Sequence, residues 1–274
     1  MLNLKKFQAP NLFLLLCFGL ALASPVHAQR FVKVVNTIDD LVRLNPNDVH
    51  TNVFVADADR GGLFSKAVRA TTNSGTMFMS TNASWQWNRQ WSGEVDVKWF
   101  GAALDGSDDT AEIQEAIDWA NQGAVYIPKG GGNIGLGTPL TVPANRTLTF
   151  EKGAVLYPRA AYTSNQVVIV TGTNVTFKNI QINGANLTGP AAYSTPDAAD
   201  GVGVYLRGLG GTHLSAIKFE DGRIVNIPGI GILGYYIDGL TIDGLTTAYC
   251  PINTAQAPPG AIYLNTCTEV DIVR

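Results

Sequence analysis

VKWFGAALDGSDDTAEIQEAIDWA, residues 97–120, is followed by GAVYIPKG at 123–130 and PLTVPANRTLTF at 139–150. The first six residues read as a buried-type strand and DGSDDT at 105–110 as a turn. A helix follows. Ile113, Ala116, Ile117 and Ala120 recur at i, i+3, i+4 and i+7, which gives it one apolar face. Asp109 and Glu112 have the spacing of a capping box, with a carboxylate in place of the usual hydroxyl. The cluster Asp105, Asp108 and Asp109 fits turn formation and helix capping better than a metal site.

Beyond Gly123 the pattern changes to short β segments that resemble one another. VVIV at 167–170, VYL at 204–206, IGIL at 230–233 and IYL at 262–264 form one set. Aligning Val170, Leu206, Ile232 and Leu264 gives steps of 36, 26 and 32 residues. FKNIQING at 177–184, AIKFED at 216–221 and IDGLTIDG at 237–244 form a second set, matched at Ile180/Ile182, Ile217/Phe219 and Leu240/Ile242. Repeats of this length indicate a solenoid, in which each coil covers the apolar face of its neighbour. A hairpin sandwich fits poorly, because two-residue hairpin turns with suitable flanks are missing. The 29 glycines and a charged fraction of only 15% suit stacked strands joined by tight turns. The predicted fold is all-β, a right-handed parallel β-helix over 96–274, with a helical cap and a small mixed N-terminal module at 29–95. No polar cap follows Ile262-Tyr263-Leu264, so the β-helix is expected to be incomplete at its C-terminal end.

Residues 1–28 read as a secretory signal peptide. Lys5 and Lys6 are followed by an apolar run from Leu12 to Ala23 and a small-residue cleavage site at Val26-His27-Ala28. The expected location is therefore secreted or periplasmic. Removing this segment moves the formal charge from −3 to −5, which argues against nucleic acid as a partner. No later stretch is apolar enough to span a membrane. Within the module, Ile38 to Leu44 suggests a short helix, and Thr51 to Ala56 a strand with Val53 and Val55 on one face. GGLF at 61–64 and Thr76 to Met79 suggest further strands. Trp85, Trp87 and Trp91 suit the core of a small domain better than a sugar platform. Cys250 and Cys267 are open to pairing or to separate burial. Clustered His and Cys motifs for zinc are absent. Asn82, Asn145, Asn174 and Asn186 head N-x-S/T sequons, for which turn or stacking roles are the better reading.

The run at 97–120, with 123–130 and 139–150, resembles the start of the pectate-lyase superfamily domain. Residues 51–95, with GGLF at 61–64 and GTMF at 75–78, resemble the small module that precedes this fold in tailspike-like proteins. The resemblance implies a helix capping the first coil and a sugar polymer bound along stacked strands. It also implies a homotrimer as one assembly, since tailspike relatives are often trimers. The Asn-Thr-Asp, Asp-Asp and Gly-His-Gly motifs of polygalacturonases do not occur here, and no catalytic residue transfers by motif. Lyase and hydrolase chemistry on an acidic glycan, glycan binding without catalysis, and an inactive remnant all stay open.

The coils themselves supply candidates. Strand alternation places Tyr205, Gly231 and Tyr263 outward in successive coils, two tyrosines flanking a gap about 10 Å across that suits a sugar ring. The second set puts Asn183, Glu220 and Asp243 at equivalent positions. Glu220 and Asp243 would then lie about 5 Å apart, a spacing suited to an acid and a base or to Ca²⁺. Strand ends at turns are the plainer reading of all three residues. Arg207 is the best-placed arginine for a uronate carboxylate or as a lyase base; a solvated turn residue is the plainer reading.

Overall fold

The structure is a computed structural model and describes residues 32–44, 50–81, 85–120, 123–187, 201–250 and 261–273. The signal segment 1–28 and Asn82 lie outside the described residues.

The N-terminal residues form a five-stranded sheet in the order β1-β2-β3-β5-β4. Its strands are β1 (Lys33–Val35), β2 (Asn52–Val55), β3 (Gly62–Val68), β4 (Met77–Met79) and β5 (Trp85–Gln90). Helix α1 (Ile38–Val42) starts at Thr37, whose hydroxyl accepts from Asp40 N while the Asp40 carboxylate accepts from Thr37 N, a complete capping box. Leu41, Val53, Val55, Phe64, Phe78, Trp85 and Trp87 pack into one small core. Trp91 is exposed and meets Trp99 edge-on at 6.1 Å.

Val97–Phe100, expected as a strand, is a 3₁₀ turn. Asp96 starts it by accepting from Lys98 N, and Gly101 ends it at φ 105°. Helix α2 (Thr110–Trp119) buries Ile113, Ala116 and Ile117 in the main core, so it does close the first coil. Its cap differs from expectation. The Asp109 carboxylate does not bond the helix but reaches back to Ala103 N (2.7 Å) and Leu104 N (3.1 Å). Burial pushes its pKa up. Asp108 takes the capping role, accepting from Thr110 N and Oγ1 and from Gly137 N. At the other end of α2, buried Arg146 donates to Ile117 O (2.7 Å) and Asp118 O (3.3 Å), satisfying carbonyls the helix leaves free. Ser74 and Arg60 of the N-terminal sheet region bond Glu115 on α2 and Trp99 O, which ties the module to this cap.

From β6 (Val95–Asp96) onward, every pairing between named strands is parallel. One wall is built from β7 (Ala124–Ile127), β10 (Arg146–Phe150) and the first halves of β13 (Val175–Asn183) and β15 (Leu214–Val225). β8 (Ile134–Leu136), β11 (Leu156–Pro158) and the second halves of β13 and β15 form the next wall. The third wall holds β9 (Leu140–Val142), β12 (Gln166–Val170) and β14 (Val202–Arg207). The long β16 (Ile230–Ala248) runs through all three walls, and β17 (Ile262–Val273) stacks on it. Inside, Val125, Leu148, Phe177, Phe219 and Ile242 stand in register and are all buried. The rings of Phe177 and Phe219 stack at 5.0 Å.

Successive coils turn at the same places through left-handed residues. Asn145, Asn174, Ala216, Gly239 and Glu269 each precede a register-matched residue and have φ of 59°, 56°, 54°, 85° and 51°. Asn179, Asp221 and Gly244 form a second such column at 54°, 58° and 68°. Asn and Asp tolerate this conformation better than other non-glycine residues. Asn174 Nδ2 donates to Asn145 Oδ1 at 3.0 Å, so both sequon asparagines stack at a corner.

Phe219 is fully buried between two coils. Phe219→Ala is expected to cost about 3–5 kcal/mol, read as a lower denaturation midpoint in urea. An unchanged midpoint would show that this interior column does not hold the coils together.

Candidate functional site

The structure corrects both proposed columns by register. In the third wall Tyr205 pairs with Leu233, and Leu233 with Tyr263. The matched set is Val170, Leu206, Gly234 and Leu264, with steps of 36, 28 and 30 residues. Gly231 is two residues out of place and there is no glycine gap between the tyrosines. A Cβ on Gly231 would meet Ala261 O, Thr247 and Cys250, on the inner side. The register shifts because glycine, at Gly234, holds the inward place opposite Leu206 that the apolar pattern gave to Ile232. Gly231 faces inward because it and Ile232 both turn to the core, as Val167 and Val168 do, which breaks strict alternation. Tyr205 is buried in an outer cluster with Val202, Ile230 and Leu233, and Tyr235 and Tyr263 pack against it. Tyr235 meets both other tyrosine rings edge-on at 6.3 Å.

In the first wall Glu220 does pair with Asp243. Asn183 is not in that column; it pairs with Val225, and Lys178 occupies its expected place. Glu220 bonds Lys218 Nζ at 2.7 Å and lies 3.8 Å from Lys178 Nζ. Lys218 above all holds the Glu220 carboxyl below its ordinary range. A proton-donating carboxyl needs the opposite shift. This column is therefore an ion-paired outer face, in which Glu220 stands between Lys178 and Asp243. Among the described residues no group of three His, Cys, Asp or Glu is placed to hold a metal ion.

Arg207 ends β14, exposed, beside Tyr235 of β16. Seven residues of β16, with left-handed corners at Tyr236 and Gly239, separate Tyr235 from Asp243. Arg207 therefore sits around the corner from the carboxylate column. The two cysteines are free, and their thiols face different carbonyls, Ala248 O and Gly234 O.

The corner beside Arg207 holds a constellation that the sequence reading missed. His213 Nδ1 lies 2.9 Å from Asp238 Oδ2, and Thr268 Oγ1 donates to Asp238 Oδ1 at 2.8 Å. The His213 ring is tilted against Tyr236 at 5.4 Å. Ser215 pairs with Asp238 and Asp238 with Thr268, so the three polar residues come from successive coils. The bond from Thr268, and then His213, holds the Asp238 carboxyl below its ordinary range. The only signal in the sequence was a lone histidine after a glycine-rich turn.

No protein-family profile matches the chain, and neither does any curated protein sequence. Among solved structures the chain is similar to the enzymatically active domain of tailspike protein 4 of bacteriophage CBA120, at 15% identity and a TM-score of 0.57. That match covers 92% of this chain and 36% of the other. It is also similar to the tailspike gp49 of Acinetobacter baumannii bacteriophage Fri1, a capsular polysaccharide depolymerase, at 14% identity and 0.56, covering 88% and 53%. A third is Pantoea stewartii WceF, a glycan biofilm modifying enzyme with a tailspike-like parallel β-helix, at 15% and 0.52, covering 88% and 41%. The chain thus spans about half or less of each of these proteins. At such identities the likeness is one of fold. The fold is a right-handed parallel β-helix like that of these tailspike-like structures.

Lys218→Met removes the leading cause of the depressed Glu220 carboxyl. The Glu220 titration midpoint, followed by carboxyl carbon NMR, is expected to rise toward the ordinary glutamate value. Because the folded value is depressed, the stability it brings is present above the ordinary glutamate value and lost as pH falls through the folded one. The variant should lose that acid-side dependence.

Proposed function

We propose that this protein is exported through residues 1–28 and acts on an acidic polysaccharide by lyase or hydrolase chemistry. In this reading 29–95 is a small leading module and 96–274 the glycan-facing β-helix. The fold it shares with three glycan-directed or tailspike proteins supports the substrate class. The observation in the chain itself is a set of exposed cations, Lys178 and Lys218 beside Glu220 on the first wall and Arg207 around the corner at the end of β14. Exposed cations on the outer faces attract an anionic polymer. Tyr205 and Tyr263, Glu220 and Asp243 remain its substrate-contact and chemical candidates, and Ca²⁺ a candidate aid at the Glu220/Asp243 pair. A homotrimer is the proposed assembly.

One observation favours a second reading, a glycan-binding adhesin. Glu220 is neutralised by two lysines, an arrangement suited to holding a polymer and not to donating a proton.

The test is incubation of the purified full chain with a panel of anionic and neutral polysaccharides, measuring new reducing ends, unsaturated products and retention. Shortened anionic chains are expected. Retention without products would select the adhesin, and neither would reject both readings. Light scattering on the same sample should give three chains per particle.

A further inference from the structure

His213 is held in one orientation. Asp238, kept ionised, is an acceptor only, so the proton between them sits on His213 Nδ1. Nε2 then carries the lone pair. It has no hydrogen-bond partner among the described residues and is not among their buried unpaired atoms. The His213 side chain is 35% exposed, so this lone pair is open to water and to a ligand. A carboxylate that fixes one imidazole nitrogen and leaves the other free is the arrangement of a general base.

The plain alternative is a polar staple along the corner. Asp238 and Thr268 suffice for that, and a staple needs no open ground beside it. Here the ground is open. The turn before His213 is Gly208-Leu209-Gly210-Gly211-Thr212, closed by reciprocal backbone bonds between Leu209 and Thr212 at 3.0 and 2.8 Å. A Cβ on Gly211 would meet nothing within 4 Å, and one on Gly210 only the Tyr236 ring, at 3.6 Å or more. The turn is therefore a bare shelf with Tyr236 as its wall, the imidazole at its edge and exposed Arg207 at the strand end that leads into it. An aromatic wall suits the apolar face of a sugar, and an arginine suits a carboxylate in bidentate contact.

We infer that His213, positioned by Asp238, is the proton acceptor in a β-elimination on a uronic acid residue, with Tyr236 against the sugar and Arg207 on its carboxylate. The inference rests on the acidic-polysaccharide reading above. In the step, His213 Nε2 takes the proton on C5. The C5–H electron pair becomes the second bond of C4=C5, and the C4–O pair leaves with the glycosidic oxygen. Water supplies a proton to that oxygen, and the imidazolium returns its own to solvent. Nothing is oxidised or reduced. Arg207 acidifies the C5 proton by neutralising the adjacent carboxylate, and Asp238 stabilises the imidazolium as it forms. Elimination is favoured over hydrolysis at this corner because the group here accepts a proton, while the nearby carboxyl Asp238 is held ionised by Thr268 and His213.

The test uses the full chain with polygalacturonate and a glucuronate-containing capsular polysaccharide, following near-ultraviolet absorbance of unsaturated ends. His213→Gln is expected to lower kcat on the order of 10²–10⁴-fold with little change in KM. Asp238→Asn keeps the shape but not the charge. It should lower kcat at unchanged KM, a split that the loss of a merely structural contact would not give. Arg207→Ala should mainly raise KM. Titrating oligogalacturonate into wild type, with the His213 ring signals followed by NMR, checks contact without any variant. Unsaturated product at wild-type rate from His213→Gln would overturn the inference and leave the polysaccharide reading standing. Cleavage to saturated ends would do the same, and binding without cleavage would overturn the inference and select the adhesin. No binding and no cleavage of any polyuronate would overturn both.

Discussion

Coils can stack in register only if each one turns at the same place as the last, and in this chain a left-handed residue makes each turn. At the corner that opens the first wall, five successive coils use φ between 51° and 85°. L-residues resist this conformation by about 1–2 kcal/mol each, Asn and Gly least. Asn145, Asn174 and Gly239 occupy it naturally; Ala216 and Glu269 do so because the ladder bonds on either side leave no other path. Register follows from the corners, and everything on the outer wall follows from register. Phe177 meets Phe219 and Glu220 meets Asp243 because the corner before each strand falls at a matching step.

This dependence explains what was legible in the sequence. The architecture was, because apolar columns repeat within a solenoid's range of spacings and α2 shows one apolar face. Within-coil register was only partly legible. Glu220 and Asp243 are close in sequence, with the corner residues Asp221 and Gly244 beside them, and their pairing was read correctly. Asn183 was misplaced by five positions, because the apolar pairs Val175/Phe177 and Ile180/Ile182 are interchangeable as patterns and only the corner at Asn179 tells them apart. Tyr205 and Tyr263 do share an outward column, and only Gly231 failed, for a related reason. Two inward residues in a row at 167–168 and again at 231–232 break the alternation on which outward placement was based.

Local chemistry was read with the same mixture of success. Asp108 and Asp109 both serve the start of α2, yet the one expected to cap the helix instead closes the preceding loop from a buried position. Two adjacent carboxylates at a helix start satisfy the same sequence rule, and only the direction of the incoming chain decides between them. That direction is set by the 3₁₀ turn at Val97–Phe100, where a strand was expected. Trp85 and Trp87 were correctly given to the small core, while Trp91 stands at its edge against Trp99.

His213 lay beyond sequence reasoning for a reason that bears on the site itself. Its partner Asp238 is 25 residues further along, and Thr268, which bonds Asp238, is 30 residues beyond that, each one coil on from the last. No spacing rule connects them, because coil length varies with the loops between walls. What connects them is the corner column: Tyr236 and Thr266 are both left-handed and turn the chain just before Asp238 and Thr268. The strained corner that aligns the coils thus also delivers a carboxylate and a hydroxyl to one column, with the acceptor two residues before it in the preceding coil. A β-helix can assemble a functional triad in this way without any motif, from single residues one coil apart. The cost falls on positions such as Tyr236, where a bulky residue occupies a conformation that glycine would adopt freely. Glycine there would ease the backbone but remove the ring that walls the shelf, so the aromatic side chain has a use that offsets the strain.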